Sequence, residues 1–438
     1  MKDVNLNRYK RILLECSNTW ENDLNTGIQR AVRNIVRAAP GVEKAFNTKS
    51  IEVAVKFNCF RQVGKQPTAS LSKAGYLFFL KKVYYRARPF FKHFLWIEKI
   101  EAFIILCARQ FLSVIFSIMF FPLALKSFFQ LKIIPGEGDI LLLLDSSWTY
   151  PIWPAVKKAK NNGAVVGLVV YDIIPFTHPD FCSSANIKRF SDWFKQAVEY
   201  VDFFMCISET MQNELQAYLN RNYPYYQTHG RVGFFPLGCT LDNISKNKVI
   251  SNESKELFKR GNIFITVGII EPRKNHKYLL DAFDLVWQQC PDACLCIIGK
   301  INWFNKQIIS RVEKHPLFKK NLFMFNKASD TELDYYYKHS RALIFPSFAE
   351  GFGLPIVEAL YYGLPVFASD IPIHREVGKD FCTYLDINDP ACLAKIIIDI
   401  EKNGKMPQVR SNREYKPTTW EDSCRELFAR IQALNLIT

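Results

Sequence analysis

Two glutamates eight positions apart, Glu350 and Glu358, bracket a turn of two glycines and a proline in the stretch FPSFAEGFGLPIVEALYYGLPVFASD, residues 345–370. A purely structural connection needs neither acid. Pro355 suits the first position of a helix and Gly363 its C-terminal cap, so Gly351, Phe352, Gly353 and Leu354 form the turn that feeds this helix from the strand RALIFPS. A helix N-terminus preceded by glycines offers unpaired N–H donors and a partial positive charge, which attract a phosphate or a similar anion. Glu358, expected in the first helical turn, is placed to accept hydrogen bonds from the vicinal hydroxyls of a ribose. Glu350, beyond the turn, is placed for the hydroxyls of a second sugar. The plainer alternative makes Glu350 a surface loop acid and Glu358 a partner of the helix dipole.

A second constellation stands in VGIIEPRKNHKYLL, where a strand ends at Gly268 and Arg273 and Lys274 follow before the next helix. Two cations at a strand C-terminus would neutralise a diphosphate leaving group. Alone, such a pair in a loop is ordinarily just solvated. Beside an anion-binding glycine turn in the same domain, it points to function.

The elements that must position these residues are legible as βα units. RILLECS reads as a buried strand, and NTGIQRAVRNIVRAA as a glycine turn followed by a helix with Ile28, Val32, Ile35 and Val36 on one face. ILLLLDSSW, AVVGLVVYDIIP, DFFMCISE and VGFFPLG are short apolar runs separated by helical stretches at 187–198 and 209–219. Continuous apolarity suits parallel strands covered on both faces. A polar interval, 242–259, leads into a second series running through CLCIIGK, NLFMFN, ALIFPS, LPVFAS and CTYLD, with Asp389 and Pro390 opening a helix that ends near Gly404. The expected fold class is therefore α/β, with two domains, a linker near 240–260, and a ligand site in the cleft between them.

Composition is compatible with this reading. A chain of 438 residues exceeds what one core usually organises, and with 49% hydrophobic and 23% charged residues it is a folded protein. The formal charge of +15 implies an anionic partner, whether nucleic acid, a phospholipid surface or a phosphorylated substrate. The twelve cysteines are scattered through apolar runs without a zinc-type CxxC pair, and read as reduced core thiols. The N-terminal MKDVNLNRYKRILLEC is too polar for a signal peptide, which sets the expectation of a cytoplasmic protein.

Residues 75–130, rich in aromatics and base, break the alternation and read as an insertion into the first domain. The uncharged window 110–125 is shorter than the roughly 20 residues a spanning helix needs. Basic residues interleaved with Phe, Tyr and Trp suit a helix lying in an anionic phospholipid interface. A helical hairpin packed on its own domain is the alternative.

VGIIEPRKNHKYLLDAF, SDTEL, PSFAEGFGLPIVEALYYGLPV and REVGKD, spread over about 261–390, resemble the C-terminal domain of GT4 retaining, nucleotide-sugar-dependent glycosyltransferases. NTGIQRAVRN, YDIIPFTHPDFC and CISETMQNEL resemble bacterial members that build O-antigen or capsular polysaccharide, mannosyltransferases among them. The resemblance implies the GT-B fold: a Rossmann-like acceptor-side domain at 1–240, a Rossmann-like nucleotide-sugar domain at 241–415, and a terminal helix at 416–438, begun by Trp420, that crosses back. It implies that Glu350 contacts the donor sugar, Glu358 the ribose, and Arg273 and Lys274 the diphosphate. Gly351, Phe352, Gly353 and Leu354 would line the donor, with Gly268 at the strand end and Gly27 on the N-domain loop that approaches it.

One position departs from the pattern. Many relatives carry a His-Asp pair, whose histidine meets the donor sugar, where this chain has Tyr171 and Asp172; His178, a few residues on, serves in its place or is a loop histidine without function, and Asp172 is the residue of the pair assigned to catalysis. The resemblance further implies a hexose, mannose from GDP-mannose as a first guess, passed to a lipid-linked or polysaccharide acceptor at the inner face of the cytoplasmic membrane. No cofactor or nucleic acid is expected, and no divalent cation in the chemical step, since the chain lacks an obvious DxD pair near a strand end. Rival readings are a nucleotide-sugar epimerase or phosphorylase on the same architecture, a basic nucleic-acid-binding module, and a silent assembly subunit. No PLP-binding context is evident, and the aromatics cluster in one insertion rather than on a strand platform. The intact Glu350, Arg273 and Lys274 argue against a silent subunit.

Overall fold

The computed structural model describes residues 9–22, 26–63, 131–226, 231–239, 250–301, 305–326, 328–411 and 414–434. The insertion expected at 75–130 lies outside them. So does the first part of the expected linker.

Two compact units emerge, one of residues 1–168 with 199–202 and the other of 169–198 with 203–438. The chain therefore passes between units inside a strand, not in the polar interval near 240. The reason is packing: the segments around Tyr171 and Ser208 contact the Gly351 turn and the Glu376 helix of the second unit. The described end of the polar interval is itself helical. Helix Asn252–Phe258 is capped by Ser251, whose hydroxyl accepts from Ser254 N at 3.1 Å, and Phe258 stacks on Tyr336 at 4.6 Å between centroids.

In the first unit β1 (Arg11–Glu15), β2 (Lys49–Lys56), β3 (Cys59–Gln62), β4 (Lys132–Ile133), β5 (Asp139–Leu143) and β6 (Val165–Val170) lie in the order β4-β3-β2-β1-β5-β6. β2, β1, β5 and β6 run parallel, and β3 and β4 are antiparallel to their neighbours. Helix Gly27–Val42 covers the sheet with Ala31, Val32, Ile35 and Ala39 fully buried. Ile28 and Val36, expected on that face, are only half-buried, because the inward stripe is centred on the alanines that let helix and sheet approach closely.

Glu15 and Asp145 end adjacent parallel strands where the strand order reverses, and both are buried. Glu15 accepts from Ser17 N at 2.9 Å, and Asp145 from Ser146 N at 2.7 Å and Thr19 N at 2.5 Å. Burial, reinforced by the charge of Asp145 and only partly offset by Ser17, pushes the Glu15 carboxyl up to about 7. A carboxyl whose folded pKa is raised lends stability below its unfolded value and loses it as pH rises, here between about 4.5 and about 7. Glu15→Gln is thus expected to match the wild type near pH 4 and to exceed it at pH 8 by up to about 3 kcal/mol. Urea midpoints across that range test this.

The second unit holds a parallel pair, β7 (Phe203–Cys206) with β8 (Val232–Phe234), and a six-stranded sheet. The sheet comprises β9 (Ile263–Val267), β10 (Cys294–Ile298), β11 (Leu322–Phe325), β12 (Ala342–Phe345), β13 (Val366–Ser369) and β14 (Thr383–Leu385), all parallel, in the order β11-β10-β9-β12-β13-β14. β10, β12 and β13 are buried at every residue, and Phe264, Leu280, Phe283, Ile297, Ile344 and Ile397 belong to one core. The Asp389 cap holds, its carboxylate accepting from Ala391 N at 2.9 Å, and Gly404 closes helix Pro390–Asn403 at φ +66°. The terminal helix Trp420–Ala433 lies on residues 236–239: Ser423 Oγ donates to the Pro236 carbonyl at 2.7 Å and Cys239 N to Thr418 at 2.8 Å. The described cysteines are mostly buried. Among the described residues no helix is long and apolar enough to cross a membrane.

Candidate functional site

The reversal of strand order falls between β9 and β12, which pair directly through Ala342 with Phe264 and Leu343 with Ile265. At such a point the loops leaving two neighbouring strands diverge and open a crevice at the sheet's carboxyl edge. The loop after β9 carries Arg273 and Lys274 in the 3-10 turn Pro272–Lys274. The loop after β12 carries Glu350 and the glycines and runs into helix Leu354–Tyr361.

The loops are bonded to each other. Phe348 N donates to the Arg273 carbonyl at 2.8 Å, and Arg273 Nη1 donates to the Ala349 carbonyl at 3.0 Å. Glu350 lies between the two cations, accepting from Arg273 Nη1 at 2.6 Å and, on its other oxygen, from Lys274 Nζ. Arg273 Nε also meets Glu271 at 2.6 Å, and Lys274 Nζ sits 4.5 Å from the centre of the Phe345 ring. Gly268 lies against the Lys274 side chain, which a Cβ there would meet at 3.2 Å. Arg273, Lys274, Glu350 and Gly268 therefore lie in one cluster. As a solvated loop acid, however, Glu350 would be exposed, whereas its side chain is 8% exposed.

Charge and burial set the electrostatics. Burial works against ionisation of Glu350, but Arg273 and Lys274 outweigh it and hold the carboxyl down at about 2. For Arg273 burial is likewise outweighed, by Glu350, Glu271 and Asp172, and the guanidinium is raised. Lys274 shifts the other way, because its burial exceeds the pull of Glu350 and Arg273 adds repulsion. Of the two cations, Lys274 is the one more readily discharged.

Gly351 and Gly353 are required for different reasons. A Cβ on Gly351 would come within 1.9 Å of the Tyr171 carbonyl oxygen, and the Gly351 carbonyl accepts from Ser208 Oγ at 3.2 Å. Gly353 has φ +99°, which a side chain rarely adopts. Phe352 and Leu354 are buried. Asp172, next to Tyr171, is half-buried; burial pushes its carboxyl up and Arg273 pulls it back. His178 is set apart: it bonds Thr177 Oγ1 at 2.9 Å and stacks on Phe181, which in turn stacks on Phe348 of the glycine loop. Gly27 opens helix Gly27–Val42 of the first unit.

Glu358 requires a correction. It is the fifth residue of helix Leu354–Tyr361, not part of its first turn, and only 2% exposed. Its Oε2 accepts the Tyr337 hydroxyl at 2.8 Å. The helix begins at Leu354, so the proline that signals its start stands second and the acid falls one turn deeper. Two further residues escaped the sequence reading. Glu376, within REVGKD, caps helix Glu209–Asn222 by accepting from Glu209 N and Thr210 N, both at 2.8 Å. His374, in helix Pro372–Gly378 after β13, is wholly buried beside the Gly353 turn. Its only sequence signal is the IPIHREV spacing after a strand.

An ionised carboxylate held between two cations, beside a helix start, is an arrangement that can fix cations where an anionic group would arrive. The model of the family "Glycosyl transferases group 1" matches residues 248–416, which include this whole cluster. Residues 248–416 are a glycosyl transferases group 1 domain.

The chain is similar to the serotype-specific mannosyltransferase WbdA of Escherichia coli, 30% identical over 269 residues, covering 60% of this chain and 33% of that protein. It is also similar to the O-antigen chain mannosyltransferase RfbU of Salmonella typhimurium, 26% identical over 238 residues, covering 54% and 60%. The chain thus spans about a third of the length of WbdA. Among solved structures, Anabaena HepE in complex with UDP and glucose matches 98% of this chain and 96% of its own at a TM-score of 0.52 and 12% identity. Sucrose-phosphate synthase from Thermosynechococcus elongatus matches 97% and 94% at 0.52 and 16%. At these identities the likeness is one of fold, and the fold is GT-B, as the motifs implied.

Two outcomes follow from the geometry. Gly351→Ala should lose folded protein or several degrees of melting temperature in differential scanning fluorimetry, since backbone must move to admit the methyl. For Glu350 the lowered pKa means stability that is present above about 4.5 and lost as pH falls towards 2. Glu350→Gln should therefore cost about 3 kcal/mol at pH 7 and converge on the wild type near pH 2, in denaturant titrations at both pH values.

Proposed function

We propose that this chain is a retaining glycosyltransferase that moves a hexose from a nucleotide diphosphate sugar to a lipid-linked or polysaccharide acceptor of cell-surface glycan synthesis, without a metal ion. The carrying observation is the bonded cluster of Glu350, Arg273 and Lys274 at the switch point between β9 and β12, beside the glycine turn. The similarity to O-antigen mannosyltransferases supports the acceptor class and makes GDP-mannose the first donor to try.

In this reading the diphosphate lies across the amides of the Gly351–Leu354 turn. Arg273 and Lys274 take up the charge that develops as the bond from sugar to phosphate breaks. Glu350 keeps both cations aimed at that place and presents its edge to sugar hydroxyls, and Glu358 with Tyr337 closes the ribose end. Asp172 acts with the catalytic cluster and Tyr171 and His178 on the donor side, and the departing phosphate guides the acceptor hydroxyl onto the face it leaves. The net charge of +15 suits peripheral attachment to an anionic membrane where a lipid-linked acceptor resides.

Calorimetric titration with UDP-, GDP-, ADP- and dTDP-sugars, followed by product analysis on a lipid-linked acceptor, is the test. One nucleotide should bind, and transfer should retain anomeric configuration and survive chelator. Arg273→Ala should lower kcat by about 10² to 10³, the loss of one preorganised donor to a developing anion. Normal transfer by that variant, or activity abolished by chelator, would overturn the assignment.

A further inference from the structure

His374 combines full burial, a position beside the Gly353 turn and a ring nitrogen that has no hydrogen-bond partner among the described residues. The helix that carries it follows β13, which pairs with β12 on the side away from β9. Three consecutive strand ends therefore feed one place: β9 delivers Arg273 and Lys274, β12 delivers Glu350 and the glycines, and β13 delivers His374.

The tautomer follows from its neighbours. Nδ1 lies 2.9 Å from Ser369 Oγ and 3.1 Å from the Ser369 carbonyl oxygen. The Ser369 hydroxyl is itself committed as a donor, to the Ser347 carbonyl at 2.5 Å. Both oxygens facing Nδ1 are thus acceptors, so Nδ1 carries the proton. In a neutral ring Nε2 is then a bare acceptor, and among the described residues it has no hydrogen-bond partner. Burial holds the ring neutral, with its pKa lowered to about 4 despite the pull of Glu350.

The edge of the ring that bears Nε2 faces the turn. A Cβ on Gly353 would stand 3.6 Å from His374 Cδ2, the carbon bonded to Nε2, while the Phe345 ring packs at 5.3 Å between centroids. Glu350 and Lys274 both act on the ring through their charges. An acceptor left unmatched in such a place costs stability that a nonpolar residue of similar size would not. Phosphate oxygens offer a neutral acceptor nothing, since they lack a proton to donate. A sugar hydroxyl does.

We infer that His374 Nε2 accepts a hydrogen bond from one hydroxyl of the transferred sugar and so helps to set which sugar is used. This rests on the glycosyltransferase reading above. Ser369 and Ser347 act behind it as positioning residues, fixing the tautomer so that Nε2 never competes as a donor. Sugars that lack that hydroxyl, or turn it away, lose the bond and leave Nε2 desolvated without a partner.

His374→Asn separates this role from packing, because the asparagine amide can still donate to Ser369 while nothing remains at the Nε2 position. Kinetics of wild type and variant are compared on the nucleotide sugar turned over in the titration series and on its monodeoxy analogues, with nucleoside diphosphate binding measured in parallel. The wild type should discriminate against one deoxy analogue by roughly 10-fold in kcat/KM, and the variant should treat that analogue and the parent sugar alike, with diphosphate affinity unchanged. In 15N-labelled protein, the unprotonated Nε2 resonance, assigned by its loss in the variant, should move on adding the nucleotide sugar and stay with the nucleoside diphosphate alone. Discrimination preserved in His374→Asn, an immobile Nε2 resonance, or diphosphate affinity that falls with activity would each overturn the inference and leave the transferase reading standing. A wild type that binds no nucleotide and transfers no sugar would overturn both.

Discussion

One carboxylate between two cations governs the second unit. Glu350 is ionised where burial alone would neutralise it, and it remains so only because Arg273 and Lys274 stand on either side. The converse also holds, since each cation is buried enough to need the acid. Taking such charges out of water is expensive, and a pair of this kind is better understood as an organiser of geometry than as a source of stability. Here it clamps the loops after β9 and β12 in one arrangement. The main-chain bonds between Phe348 and Arg273, and from Arg273 to Ala349, finish the clamp.

The same cluster explains how a positive site stays usable. Two unscreened cations facing an empty crevice would repel each other and swing outward. With Glu350 and Glu271 bonded to them, they keep a fixed aim, and under the proposed function a diphosphate would meet donors that need little rearrangement. The glycine turn answers the same requirement on the main chain: Gly351 lets the backbone pass against the Tyr171 carbonyl, and Gly353 turns it into the helix.

Much of this was legible in the amino-acid order, and particular residues show how far. The apolar runs that became β9, β10, β12 and β13, the Asp389 cap and the Gly404 stop depend on neighbours within one helical turn or on alternation along a strand, so short-range pattern suffices to find them. The EGFGLP turn and the EPRKN loop were recognisable because cations and glycines at strand ends are chemically conspicuous. Glu358 was misplaced by one turn, since proline marks a helix start only to within a residue or so. The buried face of helix Gly27–Val42 was shifted towards Ala31 and Ala39, because small residues carry little hydrophobic signal although they permit the closest approach.

By itself, then, the sequence determined the α/β class, the positions of the turns and the family that its C-terminal segment matches, all of which rest on local spacing and residue type. Tertiary structure alone decided that β12 lies beside β9, which brings Glu350 to Arg273 across 77 positions of chain. It decided that Glu376 caps a helix 166 or more positions away, that the compact units divide within β6, and that His374 turns one nitrogen to Ser369 and leaves the other without a partner among the described residues. The physical reason is common to them: strand order and long-range hydrogen bonds are fixed by the joint packing of both sheet faces, and no window of neighbouring residues contains that information.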